Sequence, residues 1–158
     1  MSNYGQQEIL GESVSAVTAT PSVELGTERF LDGNKYVYVY NKSTSTASVN
    51  YGVVYSAASG YSMTVSSVSG DMLAGVVVHN DIPATYYGWV CTRGFVDATC
   101  GKSFGIGGDE TSSKVFMVAD GHFAGLTDGT HGWTGCVAGY ANLGCAVDGT
   151  TNMYINVR

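Results

Sequence analysis

The chain reads as an all-β protein, a compact barrel or sandwich of short antiparallel strands preceded by an extended N-terminal arm. Three observations predict this. Apolar and aromatic residues alternate at period two in several short runs, and no stretch longer than a turn or two keeps the spacing of an amphipathic helix. The 22 glycines against 2 prolines fall with Asp, Asn and Ser between those runs, as tight turns between strands require. Charged residues make up only 13% of the chain while hydrophobic residues make up 44%. That is roughly half the usual charged share of about 25%. At 158 residues the chain fits one domain with a buried core.

Residues 1–26 are small and polar with spaced apolar positions. Tyr4, Ile9, Leu10, Val14 and Val17 follow neither period, which fits either a frayed terminus or an arm that orders on a neighbouring molecule through those five side chains. The spaced apolar residues favour the arm. Strand grammar begins at Glu28 and the rest, 27–158, is expected to form the single domain. Arg29-Phe30-Leu31 leads into the turn triplet Asp32-Gly33-Asn34 and then the run 35–40. There Tyr36, Tyr38 and Tyr40 share one face and Val37 and Val39 the other, so the strand should be covered on both sides. A polar loop over 41–48 separates it from strands expected over 49–55, 61–68 and 72–78.

The segment 81–96 is a turn running into an aromatic-rich strand that breaks at Arg93-Gly94 and resumes. Tyr87 and Trp89 share one face of it, and with Phe95 they are candidates for packing or for an interface, since aromatic residues anchor many protein contacts. Further strands are expected over 114–119, 135–141 and 152–158.

Chemistry-bearing patterns are thin. The net charge of −6 and only 7 Lys and Arg give no footprint for nucleic acid, whose affinity comes from neutralised phosphates. No segment approaches the ~18 consecutive apolar residues of a membrane span. The start, Met1-Ser-Asn-Tyr-Gly, lacks the pattern of a secretory signal, so the protein is expected to be made in the cytoplasm. Gly105-Ile-Gly107-Gly108 has no following helix to hold a pyrophosphate. His79, His122 and His131 lie near Asp81, Asp120 and Asp128, but no nucleophile elbow accompanies them and turn chemistry explains the pairings. Asp109-Glu110 are adjacent, so as a carboxylate pair they should point apart, and no loop among the Asp-Gly turns supplies the regular acidic spacing of a calcium site. No catalytic residue, metal or cofactor is therefore expected, and the chain is read as not an enzyme. The cysteines, Cys91, Cys100, Cys136 and Cys145, form two pairs nine apart. That spacing is too wide for zinc, leaving free buried thiols or candidate disulfides. Arg93, two residues from Cys91, should share its strand face and lower its pKa.

From residue 72 onward the order of features resembles capsid cement (head-decoration) proteins of tailed phages. Leu73-Ala-Gly-Val-Val-Val resembles their turn-and-strand after a polar N-terminal part. Tyr87-Gly-Trp-Val-Cys-Thr-Arg-Gly-Phe-Val is similar to a Tyr-Gly-Trp-Val…Gly stretch of virion proteins. Lys114-Val-Phe-Met-Val-Ala-Asp-Gly, Thr134-Gly-Cys-Val-Ala-Gly-Tyr-Ala and Thr150-Thr-Asn-Met-Tyr-Ile-Asn-Val-Arg resemble their later strands. The resemblance implies a virion protein on the exterior of the capsid, a homotrimer or other homo-oligomer bound to the major capsid protein through its N-terminal segment. The alternative reading is a head-fibre or tail-associated protein with a glycan-binding aromatic face at Tyr87 and Trp89.

Overall fold

The computed structural model describes residues 13–56, 60–65, 72–99, 113–117, 123–125, 139–141 and 150–157. Their regular elements are all strands: β1 Glu28–Leu31, β2 Asn34–Asn41, β3 Gly52–Tyr55, β4 Ser62–Thr64, β5 Leu73–Val77, β6 Tyr87–Thr99, β7 Ser113–Met117, β8 Phe123–Gly125, β9 Gly139–Ala141 and β10 Thr150–Asn156. The all-β expectation holds. β8 had no clear sequence signal. The strand expected from residue 49 starts only at Gly52, because Tyr51 N–H closes a turn onto the Ser48 carbonyl and Asn50 takes φ 70°.

Five of these strands close a ring. β2 pairs with β6, β6 with β5, β5 with β3 and β3 with β4, all antiparallel. The ring shuts where β4 runs parallel to β2, with Tyr40 opposite Ser62 and Asn41 opposite Met63. Tyr40 N–H to the Tyr61 carbonyl (3.1 Å) and Lys42 N–H to the Met63 carbonyl (2.9 Å) carry that seam. The architecture is thus a small barrel rather than two stacked sheets. The parallel seam departs from the antiparallel expectation for a geometric reason. An odd number of strands cannot alternate direction all the way round a closed ring, so one neighbour pair must run the same way. Closure in turn removes open sheet edges from these strands.

β2 shows how the barrel is filled. Its odd positions, Val37 and Val39, enter an inner cluster with Ala47, Val53, Met63, Ala74, Val77, Ile82 and Val90. Its even positions, Tyr36 and Tyr38, enter an outer cluster with Val76, Trp89, Cys91, Met153 and Ile155. Coverage on both sides follows from the alternation of large apolar residues on both faces, since each fully buried Val or larger side chain contributes about 1.5–3 kcal/mol.

The outer cluster is covered by the protein's own N-terminal segment. Val14 is buried there and Val23 and Leu25 pack against it, while Val17 packs against the inner cluster. Backbone bonds join Thr18 to Tyr87 in both directions and Gly26 N–H to the Tyr38 carbonyl. The Tyr38 hydroxyl sits between Thr18 Oγ1 (3.2 Å) and Ser22 Oγ (3.1 Å), and Asn80 donates to the Ser15 carbonyl at 2.7 Å. Val14 and Val17, expected to reach a neighbour, are used within this molecule. The tyrosine face of so small a barrel needs a cover, and this segment supplies it.

β6 serves two sets of partners within one sheet. Residues 87–93 lie along β2, and residues 93–99 pair with β10, which continues through β9 and β7 to β8. The change of partner coincides with a β-bulge: Tyr36 lies opposite Cys91 but Lys35 lies opposite Arg93, leaving Thr92 as the extra residue. Gly94 follows at φ 129°, and a Cβ there would land on the Asn34 side chain. The expected break at Arg93-Gly94 is therefore a bend within one continuous strand.

Candidate interaction surface

The bulge decides where the side chains of β6 point. Before it, Trp89 and Cys91 face the outer cluster; after it, Val96 and Ala98 do, and Arg93, Phe95 and Asp97 turn to solvent. Simple alternation would have put Cys91 and Arg93 on one face, with Arg93 lowering the thiol's pKa. The extra residue at Thr92 separates them. Burial instead pushes the Cys91 thiol up to about 11. Cys91 is a free thiol, fully buried, whose Sγ–H points at the Arg93 carbonyl at 3.4 Å. It is neither a disulfide partner nor a nucleophile at neutral pH. Cys100, Cys136 and Cys145 lie outside the described residues, as do Tyr4, Ile9, Leu10, His122 and His131.

Of the three aromatic candidates on this strand, two are internal. Trp89 is only 3% exposed, packed on Tyr38 with ring centroids 5.0 Å apart, and the Arg29 guanidinium lies 4.9 Å over its ring. It cannot serve as the stacking floor for a sugar that the shared face with Tyr87 had raised. Tyr87 is half-buried between Tyr38 and Tyr40. Phe95 is the exception, 62% exposed. Its backbone is gripped by one side chain: Asn34 Oδ1 accepts from Phe95 N–H (3.0 Å) and Asn34 Nδ2 donates to the Phe95 carbonyl (3.2 Å). The ring meets Tyr154 edge-on at 5.2 Å, and Arg93 Nε donates to the Tyr154 hydroxyl at 3.2 Å. That bond raises the Arg93 pKa further, so the group is a fixed cation. Sequence reading missed Arg93 and Tyr154 as members of this face. The signal was present in Arg93-Gly94, whose interruption of an alternating run marks a bulge and a re-aimed side chain.

His79 is exposed beside Tyr36, with ring centroids 5.4 Å apart. Asp81, its near neighbour in sequence, is taken up elsewhere: its carboxylate accepts from Val49 N–H at 2.7 Å. The turn reading of this pair is thus the one the geometry supports. The largest polar network in the described residues is also a turn device. Buried Asn41 donates to the Ser45, Ile82 and Pro83 carbonyls and accepts from Ser43, which pins the loop after β2 onto the turn before β6. No three His, Cys, Asp or Glu side chains among the described residues form a metal-ligand set.

Neither a family model nor a curated protein matches the chain. Among solved structures it is similar to the N base of the head fiber protein gp8.5 of bacteriophage phi29. The two share 15% sequence identity at a TM-score of 0.51, over 77% of this chain and 94% of that one. At this identity the likeness is one of fold, and it extends over nearly all of the phage module.

Proposed function

We propose that this chain is a structural protein of a phage head, held on the exterior of the capsid by the major capsid protein. The observation that carries this reading is the fold shared with the base of a phage head fibre along almost the whole of that base. The sequence resemblance to head-decoration proteins, which rests on the order of local patterns and on no alignment of folds, leads to the same class. On this reading the chain is not an enzyme. Its low charge and its rigid closed barrel suit a module that repeats over a shell, where many modest contacts add up because later ones are effectively intramolecular.

Within that class, a decoration or cement role is the primary reading, with copies assembled as a homo-oligomer and clamping adjacent capsid subunits. A second reading, the mounting base of a head fibre, is favoured by the identity of the fold neighbour. Mixing the purified chain with expanded heads that lack it tests both. Saturable co-sedimentation, and density at regular outer positions in particle images, is the expected result. No binding at micromolar concentration would sink the head assignment. A cement protein should also raise the temperature at which the heads burst, whereas a fibre base should leave it unchanged.

A further inference from the structure

The two most exposed large hydrophobic side chains among the described residues, Phe30 at 73% and Phe95 at 62%, stand on the same face of the sheet. Register shows this. Phe30 lies across from Lys35, and Lys35 across from Arg93, so the three side chains form one row. Phe95 is the next residue of β6 on that face and lies across from Tyr154. The face continues the inner side of the barrel past the point where β6 bends away, so it is rigid and open at once.

Its charge is incomplete. Lys35 is answered by Glu28 at 2.6 Å. Asp97, on the same face, accepts from Asn152 at 3.2 Å. Arg93 has no carboxylate partner among the described residues. Its Nε is spent on Tyr154, which fixes the guanidinium plane and leaves the Nη edge for a planar acceptor with two oxygens. Lys35 and Arg93 balance Glu28 and Asp97 over the face as a whole, so among its described residues Arg93 is a single locally unpaired cation, flanked by exposed rings. Arginine beside aromatic residues is the composition of energetic centres in protein interfaces. The tilt of 65° between Phe95 and Tyr154 presents ring edges rather than one flat platform, which favours a side chain over a sugar ring.

We propose that this face docks an acidic segment of the shell protein, with a carboxylate on the Arg93 fork and an apolar side chain on either side of it, one against Phe30 and one against Phe95. The inference rests on the head assignment for its partner, and two measurements keep them separable. In the first, nuclear magnetic resonance follows the full chain titrated with a short peptide of alternating Leu and Asp. Shifts at the Arg93 Nε–H and the Phe95 ring are expected, absent with the Leu-Asn counterpart and in Arg93→Gln. No shift, or equal shifts with both peptides, would overturn the proposed chemistry whatever the heads do.

In the second, Arg93→Gln and Phe95→Ser are each expected to weaken binding to expanded heads about tenfold, while Met72→Ser, another exposed apolar site, leaves it unchanged. Tyr154→Phe, which frees Arg93 without removing its charge, should lose less, about threefold. Wild-type affinity in both Arg93→Gln and Phe95→Ser would overturn the inference and spare the head assignment. Failure of the wild type to bind heads would remove that assignment and leave the peptide result to decide the face. A change in the free protein's oligomeric state, or loss of binding on a glycan array, in these variants would give the face to a second copy or to a sugar and overturn the inference.

Discussion

The two halves of β6 share a Gly-aromatic-Val core, Gly88-Trp89-Val90 and Gly94-Phe95-Val96, and their aromatic rings have opposite fates. From Tyr87 to Thr92 the strand lies between two hydrophobic clusters, and every side chain is buried or nearly so. From Arg93 to Thr99 exposure alternates strictly, with Phe95 set outward. The difference is not hydrophobicity, since Phe95 is as apolar as Trp89. It is whether a second layer exists on both sides. The 13–26 segment covers the outer face of the first half and the barrel interior covers its inner face, whereas past the bend the face that carries Phe95 has left the barrel and has no such cover. An aromatic residue on a two-sided strand holds the fold together, and the same residue on a one-sided strand is free to meet a partner.

Substitutions along this one strand test that contrast. The largest effect is expected at Trp89→Ala, which removes a buried indole from beneath Arg29 and should cost about 3–5 kcal/mol by chemical denaturation. Trp89→Phe should cost far less. Among the described residues the indole N–H is buried without a hydrogen-bond partner, so its loss strands nothing. A Trp89→Phe variant as unstable as Trp89→Ala would contradict this account of the first half.

Gly94→Ala comes next, at about 1–3 kcal/mol, because φ of 129° strains any side chain and the new methyl displaces Asn34. Thermal melting would detect it, and amide exchange at Phe95, whose N–H is held by Asn34, should accelerate in the same variant.

Alkali should act on the first half as well. Burial raises the Cys91 thiol from an ordinary value near 9 to about 11, and burial also raises the Tyr36 and Tyr55 hydroxyls. The folded state therefore keeps a proton that the unfolded chain releases. The stability these groups contribute should be fully present below about pH 9 and be lost as pH rises through 11. Cys91→Ala should flatten that fall in denaturation curves measured between those values, and an unchanged slope would refute the assignment. The smallest effect belongs to the second half: Phe95→Ala should alter stability by no more than about 0.5 kcal/mol, because the ring is mostly in solvent. A larger loss in a melting experiment would mean that Phe95 is a structural residue after all.

How far the sequence could be read is clearest residue by residue. Tyr36, Val37, Tyr38 and Val39 announced a strand covered on both faces, because period-two alternation of large apolar residues is a local property. The same pattern located β5, β6 and β10. It could not say what did the covering. Val14 and Val17 looked available for a neighbour because no short-range pattern ties them to Tyr38 or Tyr87, which lie far along the chain. Asn41 looked like the start of a polar loop, and its role as a buried hub depends on Ile82 and Pro83 across a 41-residue separation.

Local side-chain alternation and turn chemistry, which depend only on near neighbours, determined from sequence alone that the protein is all-β and where most strands run. Tertiary structure decided the rest: that five strands close a barrel with one parallel seam, that the bulge at Thr92 sends Arg93 and Cys91 to opposite faces, and that Trp89 is internal while Phe95 is not. These are consequences of distant segments meeting. A ring must satisfy closure as a whole, and a side chain's exposure is set by whatever layer arrives over it.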